Sequence, residues 1–316
     1  MLNYFRIRLE CPACLSKDHT ELFTRPYDSG PVYERVSKYY GNKGLFEPHY
    51  VTGGTYRILE CRTCGLMYQQ EIPNEEFLAR LYGVWVNPQA AYERNRKHLG
   101  GNVAQYIFEM WLLRYWGQRR QLKILDYGMG WGRWSEVAYT FGHEVYGYDY
   151  ENERQERDEL AGVKVLRYDE LPGKEFDFIN TEQVFEHLTD PLVVLHHLIA
   201  SLRSGGMLRI SVPTGTFVKS NLARYERTGE PLVFDKGYVP GLANIDPLQH
   251  INCWDGPALQ RFGLGAGLKR YQFPLRQRIA AKQDWYFPRR FFHNILQPIH
   301  AHYRHDDGTM LYFLKP

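Results

Sequence analysis

The feature that most constrains this 316-residue chain is a short run near its middle, Asp126-x-Gly128-x-Gly130-x-Gly132. An apolar strand ending in an acid, Lys123-Ile-Leu-Asp126, precedes it, and residues 133–141 behind it carry a helical pattern. Glycine at alternate positions strips this strand-to-helix turn of side chains, so its backbone can pass close beneath a ligand. A dinucleotide fingerprint would need a glycine three residues after Gly130, and Arg133 stands there; no Gly-Lys-Ser/Thr phosphate loop follows either. The pattern then repeats. Residues 144–149 form a second strand ending in an acid, and a strongly charged helix is expected over 151–160. Residues 163–166, 176–180 and 207–212 are further strands. A helix over 192–202 is opened by Asp190-Pro191 and closed by Ser204-Gly205-Gly206. Alternating strands and helices predict an α/β fold with a doubly wound, mostly parallel sheet and ligands at the carboxyl ends of its strands.

Four of the five cysteines form two knuckles, Cys11-Pro-Ala-Cys14 and Cys61-Arg-Thr-Cys64-Gly65. The opening residues Met-Leu-Asn-Tyr-Phe-Arg-Ile-Arg lack an apolar core, because Arg6 and Arg8 interrupt it. A signal peptide is therefore not expected, and a cytoplasmic location is. In that setting paired Cys-x-x-Cys knuckles read as metal ligands rather than disulfides, and four thiolates make the closed set of a structural zinc. Such a metal would hold the fold and do no chemistry. Cys253, standing alone, reads as a small buried residue.

Three regions follow: a zinc ribbon over 1–72, a helical linker or cap over 73–120, and a main domain over 121–316. Within the ribbon, the glycine- and aromatic-rich stretch 28–54 reads as a long loop. Pro73-Asn74-Glu75-Glu76 opens a helix, and Val103, Tyr106, Ile107, Met110 and Leu113 mark another. Residues 214–254, rich in Gly, Pro and polar side chains, form a candidate substrate lid. A helix over 259–264, strands over 269–273 and 310–314, and a basic helical insertion over 274–308 complete the chain. With 39 Lys+Arg against 36 Asp+Glu, the net charge of +3 is too small to argue for nucleic acid. No apolar run is long enough for a membrane span.

The segments Leu125-Asp-Tyr-Gly-Met-Gly-Trp-Gly132, Val145-Tyr-Gly-Tyr-Asp149 and Phe176-Asp-Phe-Ile-Asn-Thr-Glu-Gln-Val-Phe-Glu-His-Leu-Thr-Asp-Pro191, in that order, resemble the class I S-adenosylmethionine-dependent methyltransferases. Within these the chain is similar to the branch that includes ubiquinone-biosynthesis O-methyltransferases. Leu202-Arg-Ser-Gly-Gly-Met-Leu208 and Gln249-His-Ile-Asn-Cys-Trp254 also look like that branch. The preceding ribbon is similar to that of methyltransferases of sugar and natural-product pathways. The resemblance covers roughly residues 121–273. It implies a seven-stranded sheet binding S-adenosylmethionine, with Asp126 ordering the loop and Tyr127, Gly128, Gly130 and Gly132 around the methionine part. Asp149 would take the ribose hydroxyls and Tyr150 the adenine face. Asp169 would meet the adenine amino group, unless it is only a solvated turn residue. Glu182 and Gln183 would line the methyl-transfer pocket. Some relatives bind a divalent cation through a glutamate three residues before the Glu-His pair. Gln183 occupies that position here and is a poor ligand; Glu182, Glu186 and His187 could still offer three donors, but the simpler account makes Glu186 and His187 a hydrogen-bonded pair capping the strand–helix junction.

Methyl transfer from a sulfonium is an in-line displacement, in which alignment alone is worth roughly 7–11 kcal/mol. A hydroxyl or carbon-acid acceptor also needs a base titrating near neutrality. His250 is the first candidate, although a histidine there could equally tie the lid to the sheet. His187 is second and Asp246 third. Arg289-Arg290, flanked by Phe287, Phe291 and Phe292, would grip an anionic small-molecule substrate, such as a nucleotide-linked sugar, if it is not simply a solvated face. Two competing readings remain, a zinc-ribbon RNA methyltransferase and a non-catalytic binding module. The oligomeric state is open.

Overall fold

A computed structural model describes residues 4–41, 45–86, 99–150, 162–228, 242–281 and 310–316. Its chain divides into two units. One holds Met1–Arg94, Phe185–Leu192 and Val212–Phe262; the other holds Asn95–Val184, Val193–Ser211 and Gly263–Pro316.

The first unit is antiparallel. Strand β1 (Phe5–Ile7) pairs with β5 (Glu71–Pro73), while β2 (His19–Pro26), β3 (Thr55–Cys61), β4 (Met67–Gln69) and β11 (Asn252–Cys253) form a four-stranded sheet in the order β11-β4-β3-β2. Strand β11 comes from far along the sequence and sets Asn252 opposite Tyr68. The stretch after Asp28 contains a helix, α1 (Gly30–Gly41), where a loop was expected. Val32, Val36 and Tyr40 recur every four residues and are its buried stripe. Helix α2 (Glu75–Arg80) is capped by Asn74, whose side chain accepts from the Phe77 amide at 2.9 Å, and it runs on into a π-turn, Leu81–Trp85. The region expected as a loose lid supplies helix α6 (Val218–Thr228), which buries Val218 and Leu222, and then β11. Phe77 and Trp85 are fully buried in this unit's core, each worth roughly 1.5–3 kcal/mol of burial.

The second unit is the expected α/β sheet, with seven strands in the order β12-β13-β10-β9-β6-β7-β8. Strands β6 (Lys123–Tyr127), β7 (Glu144–Tyr148), β8 (Val163–Val165), β9 (Phe176–Glu182) and β10 (Leu202–Ser211) are parallel. Strand β13 (Met310–Leu314) runs antiparallel between β10 and β12 (Lys269–Tyr271). The first six residues of β9 are all buried, as a central parallel strand requires. Helices α3 (Leu99–Trp116), α4 (Arg133–Thr140), α5 (Pro191–Ser201), α7 (Gly256–Gly265) and α8 (Leu275–Ala281) complete the element order. Trp134 of α4 stacks on Phe178 of β9, ring centroids 5.9 Å apart. From β6 the chain goes to β7 and β8 on one side and then returns to β9 on the other. The glycine loop leaves β6 at this switch point, where doubly wound sheets open a crevice for ligands.

Candidate active site

The glycine turn is held by its neighbours' backbone. The amides of Gly128 and Met129 both donate to the Tyr148 carbonyl, at 2.8 and 2.9 Å, which folds the loop over the end of β7. Gly128, Gly130 and Gly132 have φ of 76°, 54° and 73°, and Gly132 is the N-cap of α4. Such left-handed backbone favours glycine, and a Cβ at position 128 would also collide with the Val184 side chain. The Gly130 amide donates to the Asp149 carboxylate at 2.8 Å, so the acid closing β7 also braces the loop. The Tyr127 ring stacks on Tyr148, 4.8 Å between centroids.

Behind the loop lies a buried polar chain. Asp126 accepts from Ser135 Oγ at 2.6 Å and from Asn180 Nδ2 at 2.8 Å. Asn180 Oδ1 accepts in turn from Arg209 Nη1 at 2.6 Å. Arg209, fully buried, pairs with Glu109 at 2.9 Å and faces Glu182 at 3.7 Å, while Trp134 Nε1 donates to Glu109 at 2.9 Å. Burial pushes the Asp126 carboxyl up to about 6, although Ser135 and Asn180 hydrogen-bond its charged form. Burial also raises Glu182, against the pull of Arg209. Glu109 and Glu182 share the Arg209 guanidinium, and Asp126 is linked to it through Asn180. Of the other expected contacts, Tyr150 is 84% exposed. Asp169 sits exposed on a 3-10 turn, paired only loosely with Arg167 at 3.4 Å. Gln183 has φ of 55° and donates its amide to Ser211 O at 2.8 Å.

The histidines lie in the antiparallel unit. His187 ends a 3-10 turn, Phe185–His187, and its ring meets that of His250 edge-on at 4.9 Å. His187 Nδ1 lies 3.0 Å from the Gln249 carbonyl and 3.3 Å from the Tyr82 hydroxyl on the π-turn. A carbonyl only accepts, so Nδ1 carries the proton. Burial holds the His187 imidazole down at about 4, hence neutral at physiological pH. Glu186 and His187 are not the expected hydrogen-bonded pair. Glu186 Oε1 is 3.8 Å from His187 Nε2, beyond hydrogen-bond reach. Arg8 fixes both histidine-bearing segments, donating to Leu188 O, Thr189 O, Ile251 O and Asn252 Oδ1 at 2.8–3.3 Å. Asn252 Nδ2 also donates to Phe185 O and Leu188 O. Asp246 is ion-paired with Arg35 at 3.1 Å, which lowers its value as a base.

All four knuckle cysteines converge, with Cys11–Cys64 and Cys14–Cys61 sulfurs 3.6 and 3.5 Å apart. Zinc–sulfur bonds of ~2.3 Å imply tetrahedral sulfur separations of roughly 3.7 Å. Both knuckles close alike. The amides of Leu15 and Gly65 donate to the Cys11 and Cys61 carbonyls at 2.8 and 2.9 Å, and both residues have positive φ.

Residues 96–272, more than half of the chain, match the methyltransferase-domain family. The chain belongs to that family. It is a class I S-adenosylmethionine-dependent methyltransferase domain, and its strand order is the one this fold requires. No curated protein sequence matches it. Among solved structures it is similar to the plantazolicin methyltransferase BpumL, at 14% identity over 72% of this chain and 89% of that one, TM-score 0.45. It is also similar to a Burkholderia thailandensis 1,6-didemethyltoxoflavin-N1-methyltransferase, at 15% identity over 82% and 95%, TM-score 0.44. A Galdieria sulphuraria protein described as a putative sarcosine dimethylglycine methyltransferase shares 18% identity over 65% and 84%, TM-score 0.39.

In this methyltransferase, the loop glycines, Asp126, Asp149 and Glu182 share the sheet unit, whereas His187 and His250 share the antiparallel one. Arg289 and Arg290 lie outside the described residues, as does the charged helix expected over 151–160. Sequence reading missed the Arg209–Glu109 pair, Tyr82 and Arg8. A signal for the first was present, since Arg209 interrupts the apolar run Met207-Leu-Arg-Ile210. Tyr82 and Arg8 matter only through contacts with residues more than a hundred positions away, which leave no local pattern.

Proposed function

We propose that this methyltransferase transfers the methyl group of S-adenosylmethionine to a small, anionic acceptor in a natural-product or sugar pathway. The observation that carries the cofactor reading is the side-chain-free glycine turn braced by Asp149 at Gly130. The residues present fit the group. The turn leaves room for close backbone approach, and Asp126 and Glu182 add the negative charge that a sulfonium and an ammonium seek. When bound, the cofactor supplies an electrophilic methyl group. The chain's own part is to align the acceptor with that methyl and to take its proton.

Asp149 would order the ribose and Tyr150 and Asp169 the adenine, with Tyr127, Gly128, Gly130 and Gly132 along the methionine part. Glu182 and Gln183 would border the reacting methyl. His250 is assigned as base and His187 as its alternate, since the neutral His187 keeps Nε2 as an acceptor while Gln249 holds Nδ1. Arg289 and Arg290 would hold the acceptor's anionic group. Cys11, Cys14, Cys61 and Cys64 would bind one structural zinc, supported by sulfur spacing close to tetrahedral.

Methyl-labelled S-adenosylmethionine, incubated with the chain and a fractionated metabolite extract, tests the substrate class. Label entering the anionic small-molecule fraction supports the proposal. Label entering RNA alone transfers support to an RNA methyltransferase, and no label at all supports a binding module.

A further inference from the structure

The contact that failed its expected role points elsewhere. Glu186, 1% exposed, turns its carboxylate towards His187 Nε2 without bonding to it. That nitrogen is a lone pair, because Nδ1 holds the ring proton against Gln249 O. The Glu186 oxygen and this nitrogen face each other at 3.8 Å. The third member, His250, comes from sixty residues further on and meets His187 edge-on. One donor atom from each of Glu186, His187 and His250 lies within 4.8 Å of the others.

We propose that Glu186, His187 and His250 form a second metal site, for a divalent transition cation of the zinc type. Two imidazoles and one carboxylate suit zinc or a neighbouring first-row ion rather than magnesium, which prefers an all-oxygen shell. A histidine ligand ordinarily donates its other nitrogen to a carbonyl, as His187 does to Gln249, and this fixes tautomer and ring orientation before the ion arrives. The supporting shell is built from the same unit. Arg8 and Asn252 lock the backbone on both sides, at residues 185–189 and 251–252. Bonds of ~2.0–2.2 Å would set the donors roughly 3–3.5 Å apart, so the 3.8 Å Glu186–His187 pair needs to close by less than about 1 Å and the widest pair, within 4.8 Å, by up to about 1.8 Å. Unlike the four-cysteine cluster, three protein donors leave a coordination position for water or for an oxygen of a small ligand. The site goes beyond the methyl-transfer reading and does not depend on it, but it competes with the base assignment, because a ring nitrogen bound to the ion no longer takes a proton.

The test is metal stoichiometry on the full chain, equilibrated with zinc and dialysed. Wild type is expected to hold one more zinc per chain than His250→Ala, and one more than Glu186→Gln. Both variants should keep the four-cysteine equivalent, whereas Cys61→Ser, which also removes the sheet that gathers the histidines, should lose both. Cobalt separates the sites on unaltered protein, which guards against a variant that fails to fold. The four-cysteine site gives intense sulfur-to-cobalt charge transfer, and the second equivalent should add only weak visible bands. Equal zinc in wild type, His250→Ala and Glu186→Gln, or no second cobalt without sulfur character, overturns the proposal.

Discussion

The two candidate regions are assembled in opposite ways. In the parallel sheet, the glycine turn, Asp126 and Asp149 fall within a single strand-turn-helix-strand segment, and local backbone bonds such as Gly128 N to Tyr148 O hold them in place. The histidine cluster draws on Arg8, Tyr82, His187 and His250, joined only by tertiary contacts in the antiparallel unit. A locally built site should survive damage elsewhere in its own unit, whereas a site assembled from distant segments should fail with the scaffold that gathers them.

The largest effect should come from that scaffold. Cys61→Ser, or zinc removal by a strong chelator, is expected to unfold the ribbon sheet, since structural zinc in small domains contributes on the order of 10 kcal/mol. Melting followed by tryptophan fluorescence, to which the buried Trp85 contributes, would read it, and an unchanged transition would show that the knuckles are not metal-stapled. Next, His250→Ala should lower turnover roughly 10²–10⁴-fold while cofactor affinity stays within a factor of two or so. If turnover is unaffected, the base lies elsewhere. In the sheet unit, Asp149→Ala removes a carboxylate that braces Gly130, and the cofactor Kd is expected to rise ~10–100-fold. A change in turnover without a change in Kd would reverse that assignment.

The smallest effect is a pH dependence. The folded-state value of His187, about 4, lies below its unfolded value near 6.5, so the unfolded chain binds more protons between them. Stability from this ring is therefore full above about pH 6.5 and is lost as pH falls towards 4. His187→Gln should flatten that part of the stability profile, and an identical slope in wild type and variant would refute the claim. Asp126 has the opposite sign. Its raised value, about 6, means burial costs stability as pH climbs from about 4 to 6, so Asp126→Asn should stabilise the cofactor-free protein near neutrality.

How much was legible follows the same division. The alternation of strands and helices and the glycine loop could be anticipated because apolar runs such as Lys123–Tyr127 end in acids and glycines that act locally. The helix over Gly30–Gly41 was hidden because its glycine ends and three tyrosines resemble a loop, while its signal, Val32, Val36 and Tyr40, is one short stripe. The pairing of Asn252 with Tyr68 leaves no trace in either segment, so residues 214–254 looked like a lid when part of them is the edge of the ribbon sheet. Glu186 and His187 were adjacent in sequence and so looked paired, but the turn geometry and the Gln249 carbonyl direct the ring away from that bond.

Calorimetric titration of the zinc-replete chain with S-adenosylmethionine and S-adenosylhomocysteine tests the central assignment most directly. One equivalent of each should bind, with clearly weaker binding in Asp149→Ala. Absence of heat and of any thermal shift with either compound, in protein shown to be folded, would contradict a cofactor site at the glycine turn.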